Sequence, residues 1–348
     1  MMEKLQAFIE NAGWPRIIIG LFLLSLFVAA PFVGVRLDAS LSDTLVRVGM
    51  NGILVLAMVP MVQSGCGLNF GLPLGIIAGL LGAVTSIQIG IPGSIGFIIA
   101  MGIAVPIAIV LGWLYGQLLN RVKGDEMMIA TYVGFSSVAV MCIAWLLLPY
   151  TSPTMIWGYG GSGLRTTISV EGFWLNALSK HLNIQIGEFF YIPVGMYLFF
   201  ALMVFLVWAF FRTKVGTAVT AVGSNPEFAR ASGIDVDKMR TVSVILSTVL
   251  GAIGILVYEQ SFGFIQLYMG PFYMAFPAVA AILLGGASVN KASMVNVVVG
   301  AFLFQGILTM TPSVINSVMQ TDMSEVIRII VSNGMILYAL TRKVMVKR

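Results

Sequence analysis

The chain has 348 residues, of which 59% are hydrophobic and only 9% charged, with a formal net charge of +5. A water-soluble domain carries about 25% charged residues, so this composition excludes one and places the chain in a membrane. Two cysteines in apolar stretches and one histidine exclude a disulfide framework and a zinc site, and the absence of a basic stripe interleaved with stacking aromatics excludes nucleic-acid recognition.

The apolar runs suit helices of about 20 residues rather than the ~10-residue alternating strands of an outer-membrane barrel. The expected class is therefore an all-α integral membrane protein. No small-residue cleavage site follows a short apolar core at the N-terminus, so no removed signal peptide is expected. Met1–Pro15 is expected to form an amphipathic surface helix. Spans are then predicted over 17–35, 44–62 and 75–89, with a glycine-rich break at Ser64–Leu74 before the third. A long fourth span, 93–119, carries Pro106 as a kink. The charged loop Arg121–Glu126 leads to the fifth span, 127–148. Residues 149–187 form a polar loop long enough for a small external structure, and the sixth span covers 189–211. After the polar segment 212–240, spans are predicted over 241–258, from the irregular stretch Gly263–Pro277 to about Leu284, over 292–310 and over 325–340. A basic tail, 342–348, follows. The whole is one membrane domain of about ten transmembrane helices, with a first half at 17–211 and a second at 241–341.

Lysine and arginine set the orientation. With the N-terminus inside, only Arg36, Arg47, Arg165, Lys180 and Arg328 lie outside, leaving 14 of the 19 basic residues inside. Both termini and the segment Arg212–Arg240 are thus expected in the cytoplasm. Trp145, Trp157 and Trp174 read as anchors at the outer interface. Asp322, Glu325 and Arg328 form an external charged cluster, and His181 lies in the external loop.

Arg212–Arg240 is written like a folded element. Asn225 can cap a helix, Pro226 suits its first position, and Glu227 and Arg230 match its dipole. Gly233 can stop it in the left-handed conformation, and Asp235 can cap the helix that follows. The expectation is a helix of about two turns lying across the cytoplasmic mouth.

Spans two and seven are each followed by a Gly/Pro-rich break and a short helix. Because the two spans run in opposite directions, the halves would be inverted repeats with broken helices, which points to a solute pathway near the midplane. Pathway candidates are Gly65, Asn69, Phe70 and Gly71 in the first break, and Glu259, Phe264, Gly270 and Gly285 in or near the second. The pairs Gly75/Gly79 and Gly112/Gly116 read instead as close helix packing. Glu259, near the outer end of span seven, is open to either a functional role or simple contact with water.

At these residues the sequence resembles the permease subunits of binding-protein-dependent ABC importers, in the branch of ribose, galactose and nucleoside permeases and, more remotely, branched-chain amino-acid permeases. The segment from Gly216 through Gly223, Asn225 and Ala229 to Gly233-Ile234 resembles that family's cytoplasmic loop. Ala278–Ser288 (AVAAILLGGAS) resembles its alanine-rich run ending in Leu-Gly-Gly. Gly65–Gly71 (GCGLNFG) resembles its Gly-x-Asp-Leu-Ser-x-Gly, with Asn69 where aspartate is usual. The resemblance implies a bacterial inner-membrane, multi-pass protein that pairs with a second permease of the same or a related chain. It also implies an external solute-binding protein and two ATP-binding cassette subunits. Gly216, Gly223, Asn225, Glu227, Ala229, Arg230 and Gly233 would couple the chain to those subunits. No Gly-x-x-x-x-Gly-Lys-Ser/Thr phosphate cradle is present. ATP and Mg would therefore be held by the partners, with no cofactor, metal or catalytic residue on this chain. Gly158–Gly163 matches Gly-x-Gly-x-x-Gly but has no strand before it, and reads as a flexible external turn. The implied cargo is a sugar or nucleoside; branched-chain amino acids or another small metabolite, and an ion-driven secondary transporter, are the alternatives. A membrane-embedded enzyme would need clustered His, Asp and Glu that the chain lacks.

Overall fold

A computed structural model describes residues 14–158, 163–179 and 182–319, with 326, 329–331 and 333–334. The expected N-terminal surface helix, the glycine turn at 159–162, Lys180, His181, most of the tenth span with its charged cluster, and the basic tail lie outside the described residues.

The described chain is mostly helical. In order it forms α1 (Trp14–Ala29) with a 3-10 turn (Ala30–Val33), α2 (Leu37–Leu56), α3 (Met58–Gln63), α4 (Leu72–Ile89), α5 (Gly93–Arg121), α6 (Glu126–Leu147), α7 (Val194–Arg212), α8 (Lys214–Ser224), α9 (Pro226–Ala231), α10 (Val236–Phe262), α11 (Gly270–Leu284) and α12 (Met294–Met319). Among the described residues eight helices are long and apolar enough to cross a membrane, α2 and α3 counting as one, while α11 is shorter. Pro60 explains the interruption at Ala57, because its ring crowds the carbonyl of Leu56 and it has no N–H to give back. Pro106 lies within the uninterrupted α5.

Helix α10 is the centre of the bundle. Glycines let its neighbours approach to backbone distance: a Cβ at Gly75 or Gly79 of α4 would lie 2.6 Å from the carbonyl oxygen of Thr248 or Ala252. One at Gly112 of α5 would lie 2.9 Å from Ile245 Cα. The expected small-residue packing is therefore real, and it holds α4 and α5 against α10 without a hydrophobic driving force between helices.

One end of the bundle carries four short strands, β1 (Thr167–Ser169), β2 (Ile184–Ile186), β3 (Phe190–Ile192) and β4 (Phe264–Gln266). β2 and β3 form an antiparallel hairpin, and β1 pairs antiparallel with β4. The irregular stretch after α10 is thus partly a strand stitched to the long polar loop. That loop also folds over the end of α10, where the Asn176 amide donates to the Gln260 carbonyl and the Val170 amide to that of Gly263. Trp145 and Trp174 are fully buried here. They are core residues of this cap and not interface anchors, because the loop covers them; Trp157 is half exposed. The opposite end gathers Arg121, Lys123, Arg212, Lys214, Arg230, Lys238, Arg240 and Lys291, whereas Arg36 and Arg165 stay at the strand end. The positive-inside rule predicts that such a basic end faces the cytoplasm, an expectation that labelling can test. Glu171, exposed on the loop at the strand end, can report sidedness. Glu171→Cys is expected to react with an impermeant thiol reagent in intact cells, and Ser224→Cys only after the membrane is opened; the reverse labelling would invert the orientation.

Candidate functional site

At the basic end the polar segment folds as two helices, α8 and α9, where the sequence pattern predicts one. Each start is capped by a side chain: Thr213 Oγ1 accepts from the Gly216 amide at 3.1 Å, and Asn225 Oδ1 from the Phe228 amide at 3.0 Å. Asp235 Oδ1 caps α10 by accepting from the Lys238 amide at 3.0 Å. Pro226 is the first residue of α9, and Gly233 turns the chain out of it at φ +81°. Ala229 is buried with Val222 and Val236 in a small apolar cluster, which fixes α9 to the start of α10. Glu227 and Arg230 face solvent. So does Phe228, at 68% exposure. Cap and dipole reasoning does not single this residue out; its one signal in the sequence is that of a lone large aromatic within an otherwise polar, capped segment.

Gly216 and Gly223 allow contacts that no side chain would permit. Gly216 packs on the Phe210 carbonyl at the end of α7, and Gly223 on the carbonyl of Gln63, with a would-be Cβ 3.0 Å from the Gly65 amide nitrogen. Gly65 itself is left-handed, at φ +79°. The polar segment is thereby joined, backbone to backbone, to the irregular stretch between α3 and α4. A second link lies beside it. Arg240 of α10 forms a 3.0 Å ion pair with Glu126 at the start of α6, both side chains about nine-tenths buried. The Asn120 amide group donates to the Asp237 carbonyl and to Thr241 Oγ1 at 2.8 and 2.9 Å, and Lys123 pairs with Asp237 at the surface, 2.7 Å apart. The sequence shows the charges of 121–126 but not their partners.

The pathway candidates divide by position. Asn69 is fully buried, donates to Ser247 Oγ at 2.7 Å and accepts from the Tyr115 hydroxyl at 3.2 Å. Ser247 in turn donates to the Ala57 carbonyl. This network ties the first irregular stretch to α5 and α10, and Gly71 packs against the same tyrosine. Phe70, next in the chain, meets Phe276 of α11 with ring centroids 6.3 Å apart. Gly270 begins α11. Gly285 sits at its far end against Asn296, whose side chain donates to the Gly285 carbonyl at 2.7 Å, so it is a helix-packing position. Phe264 lies on β4, half exposed at the strand end. Glu259 does not reach water: it is 1% exposed, and neither carboxylate oxygen has a hydrogen-bond partner among the described residues. The structure therefore brings together Asn69, Phe70 and Gly71, and separates them from Gly65 and Gly285 at one end and Phe264 and Glu259 at the other. No cluster of three or more His, Cys, Asp or Glu able to hold a metal occurs among the described residues.

Residues 40–339 match the family model described as branched-chain amino acid transport system / permease component. The chain is 26% identical over 225 residues to the Autoinducer 2 import system permease protein LsrC of Escherichia coli O9:H4 (strain HS), which covers 64% of this chain and 59% of the relative. It is 25% identical over 249 residues to the protein of that name from Enterobacter sp. (strain 638), 70% of this chain and 67% of the relative. It is 35% identical over 92 residues to the Nucleoside ABC transporter permease protein NupC of Lactococcus lactis subsp. cremoris (strain MG1363), 26% of this chain and 29% of the relative. The chain thus spans about three fifths of the length of the first of these relatives. No solved structure matches.

Proposed function

Because the chain belongs to the branched-chain amino acid transport system permease family, we propose that it is the membrane-spanning permease subunit of an ATP-driven importer. It would form the pathway for a small polar solute of the sugar or nucleoside class, delivered by an external binding protein. It would work as a pair with a second permease, of its own kind or a paralogue. ATP, with Mg, would be bound and hydrolysed by cassette subunits docked under the basic end, in the cytoplasm of a bacterial inner membrane. Ten spans in two inverted halves, the tenth over 325–340, with both termini cytoplasmic, complete this reading.

The observation that carries it is the capped and closely packed geometry of the basic end. A helix closed by a cap and a left-handed glycine can pass on a rigid-body push, whereas a floppy loop cannot. Here α9 is clamped to α10 by Ala229, and α8 to the first irregular stretch by Gly223. Displacement of α9 would reach both the central helix and the segment holding Asn69 and Phe70. Asn225→Ala removes a cap worth roughly 1 kcal/mol. Gly233→Val forces a side chain into the left-handed region, at about 1–2 kcal/mol. In proteoliposomes holding the purified assembly, both variants are expected to insert normally, yet to lower solute-stimulated ATP hydrolysis and uptake together or to uncouple them. Wild-type rates and unchanged recovery of an ATP-binding subunit in both variants would remove this reading's main support.

A further inference from the structure

We propose that Phe70, Phe135, Phe272 and Phe276 form a stacking wall at half-depth in the membrane, and that it receives the planar heteroaromatic ring of a nucleoside-type solute. The inference rests on the permease reading above and narrows its solute class. The four rings come from three separate parts of the chain. Phe70 is fixed by the Asn69 network, Phe135 comes from α6, and Phe272 and Phe276 lie one turn apart on α11. Ring centroids are 4.7 Å apart for Phe135–Phe272 and 6.3 Å for Phe135–Phe276. Phe272 and Phe276 are also 6.3 Å apart and stacked at 21°. Each ring keeps exposed surface, Phe135 as much as 51%.

Depth follows from helix geometry. Phe135 is the tenth residue of the 22-residue α6, so at 1.5 Å per residue it lies near the middle of that helix. Phe70 and the α11 rings directly adjoin the two irregular stretches, which enter from opposite ends of the bundle.

Chemistry selects the solute. Phenyl rings offer faces and edges and no hydrogen-bonding group. A polyol passing such a wall gives up water around each hydroxyl without replacement, which is costly. A nucleobase instead gains stacking on each aromatic side chain it meets. Tyr132 and Tyr273 are exposed on the same two helices, three residues before Phe135 and one after Phe272.

The test uses the chain in nanodiscs with its copurified partners. Photolabelling with 8-azidoadenosine, followed by peptide mapping, is expected to mark the segments holding Phe135 or Phe276, with competition by adenosine and uridine but not by ribose. Phe135→Leu and Phe276→Leu, which keep apolar bulk and lose the ring, should lower labelling about 5- to 100-fold, and Phe135→Tyr should preserve it. Labelling elsewhere or none, equal competition by ribose, or unchanged labelling of both leucine variants would each overturn the proposal. The permease reading fails separately, if no ATP-binding subunit accompanies the chain. Stimulation of ATP hydrolysis by ribose but not by uridine or adenosine would sink the stacking wall and leave the permease standing.

Discussion

Arg240→Ala is expected to be the most destabilising single substitution at the basic end, at about 3–5 kcal/mol, because it strands the Glu126 carboxylate in a site about nine-tenths buried. Glu126→Ala should cost a similar amount by leaving the guanidinium unpaired. The control is Lys123→Ala, since Lys123 and Asp237 are each about half exposed and such pairs contribute under about 1 kcal/mol. The reversed pair, Glu126→Arg with Arg240→Glu, should recover part of the loss. Thermal unfolding of the purified protein in detergent, read as a double-mutant cycle, is the measurement. A pair that merely decorates the surface would give near-zero coupling energy and additive, small shifts. A large coupling energy would show that the second turn of α10 and the start of α6 are energetically tied. The pair would then join the helix that follows the capped segment to the helix that bears Phe135.

Gly223→Val is expected to have the largest effect on transport. A side chain at this position runs into the Gln63 carbonyl and the Gly65 backbone, and a backbone carbonyl has no rotamer by which to give way. The end of α8 must therefore move off the irregular stretch. Overpacking of this kind costs about 1–3 kcal/mol, too little to prevent insertion of a bundle centred on α10. Uptake should fall to background while the protein remains in the membrane at near-normal level, and Gly223→Ala should be intermediate. Equal loss of membrane protein and of uptake would show that the contact serves assembly alone. Normal uptake in the valine variant would remove the link between the polar segment and the Asn69–Phe70 stretch.

The features legible in the sequence are those set by local chemistry. Asn225, Pro226, Gly233 and Asp235 act within one or two turns of their own position, so their roles follow from the neighbouring residues alone. Spacing of four makes Gly75/Gly79 and Gly112/Gly116 recognisable as packing faces, although not that both faces meet α10. What is not legible depends on residues far apart in the chain. Glu126 finds Arg240, Asn69 finds Ser247 and β1 finds β4, each across about a hundred residues or more, and Asn69 finds Tyr115 across 46. The tryptophans show the same limit from the other side. Trp145 and Trp174 have the composition and position of interface anchors, and only the folded loop above them turns them into core. Phe70 is a candidate by its place in the glycine-rich break, but the ring it meets, Phe276, lies on a helix some two hundred residues later and no local pattern joins them.

The most direct test of the account is a crosslink from α9. A cysteine at Phe228, in a cysteine-free background, should form a crosslink to a copurified ATP-binding subunit in native membranes, with a yield that changes when ATP is added. A cysteine at Val140, exposed in the middle of α6, should not. That pattern is what the account predicts. If the Phe228 cysteine captures no ATP-binding subunit while one is shown to copurify with the chain, α9 is not the contact through which ATP drives this protein.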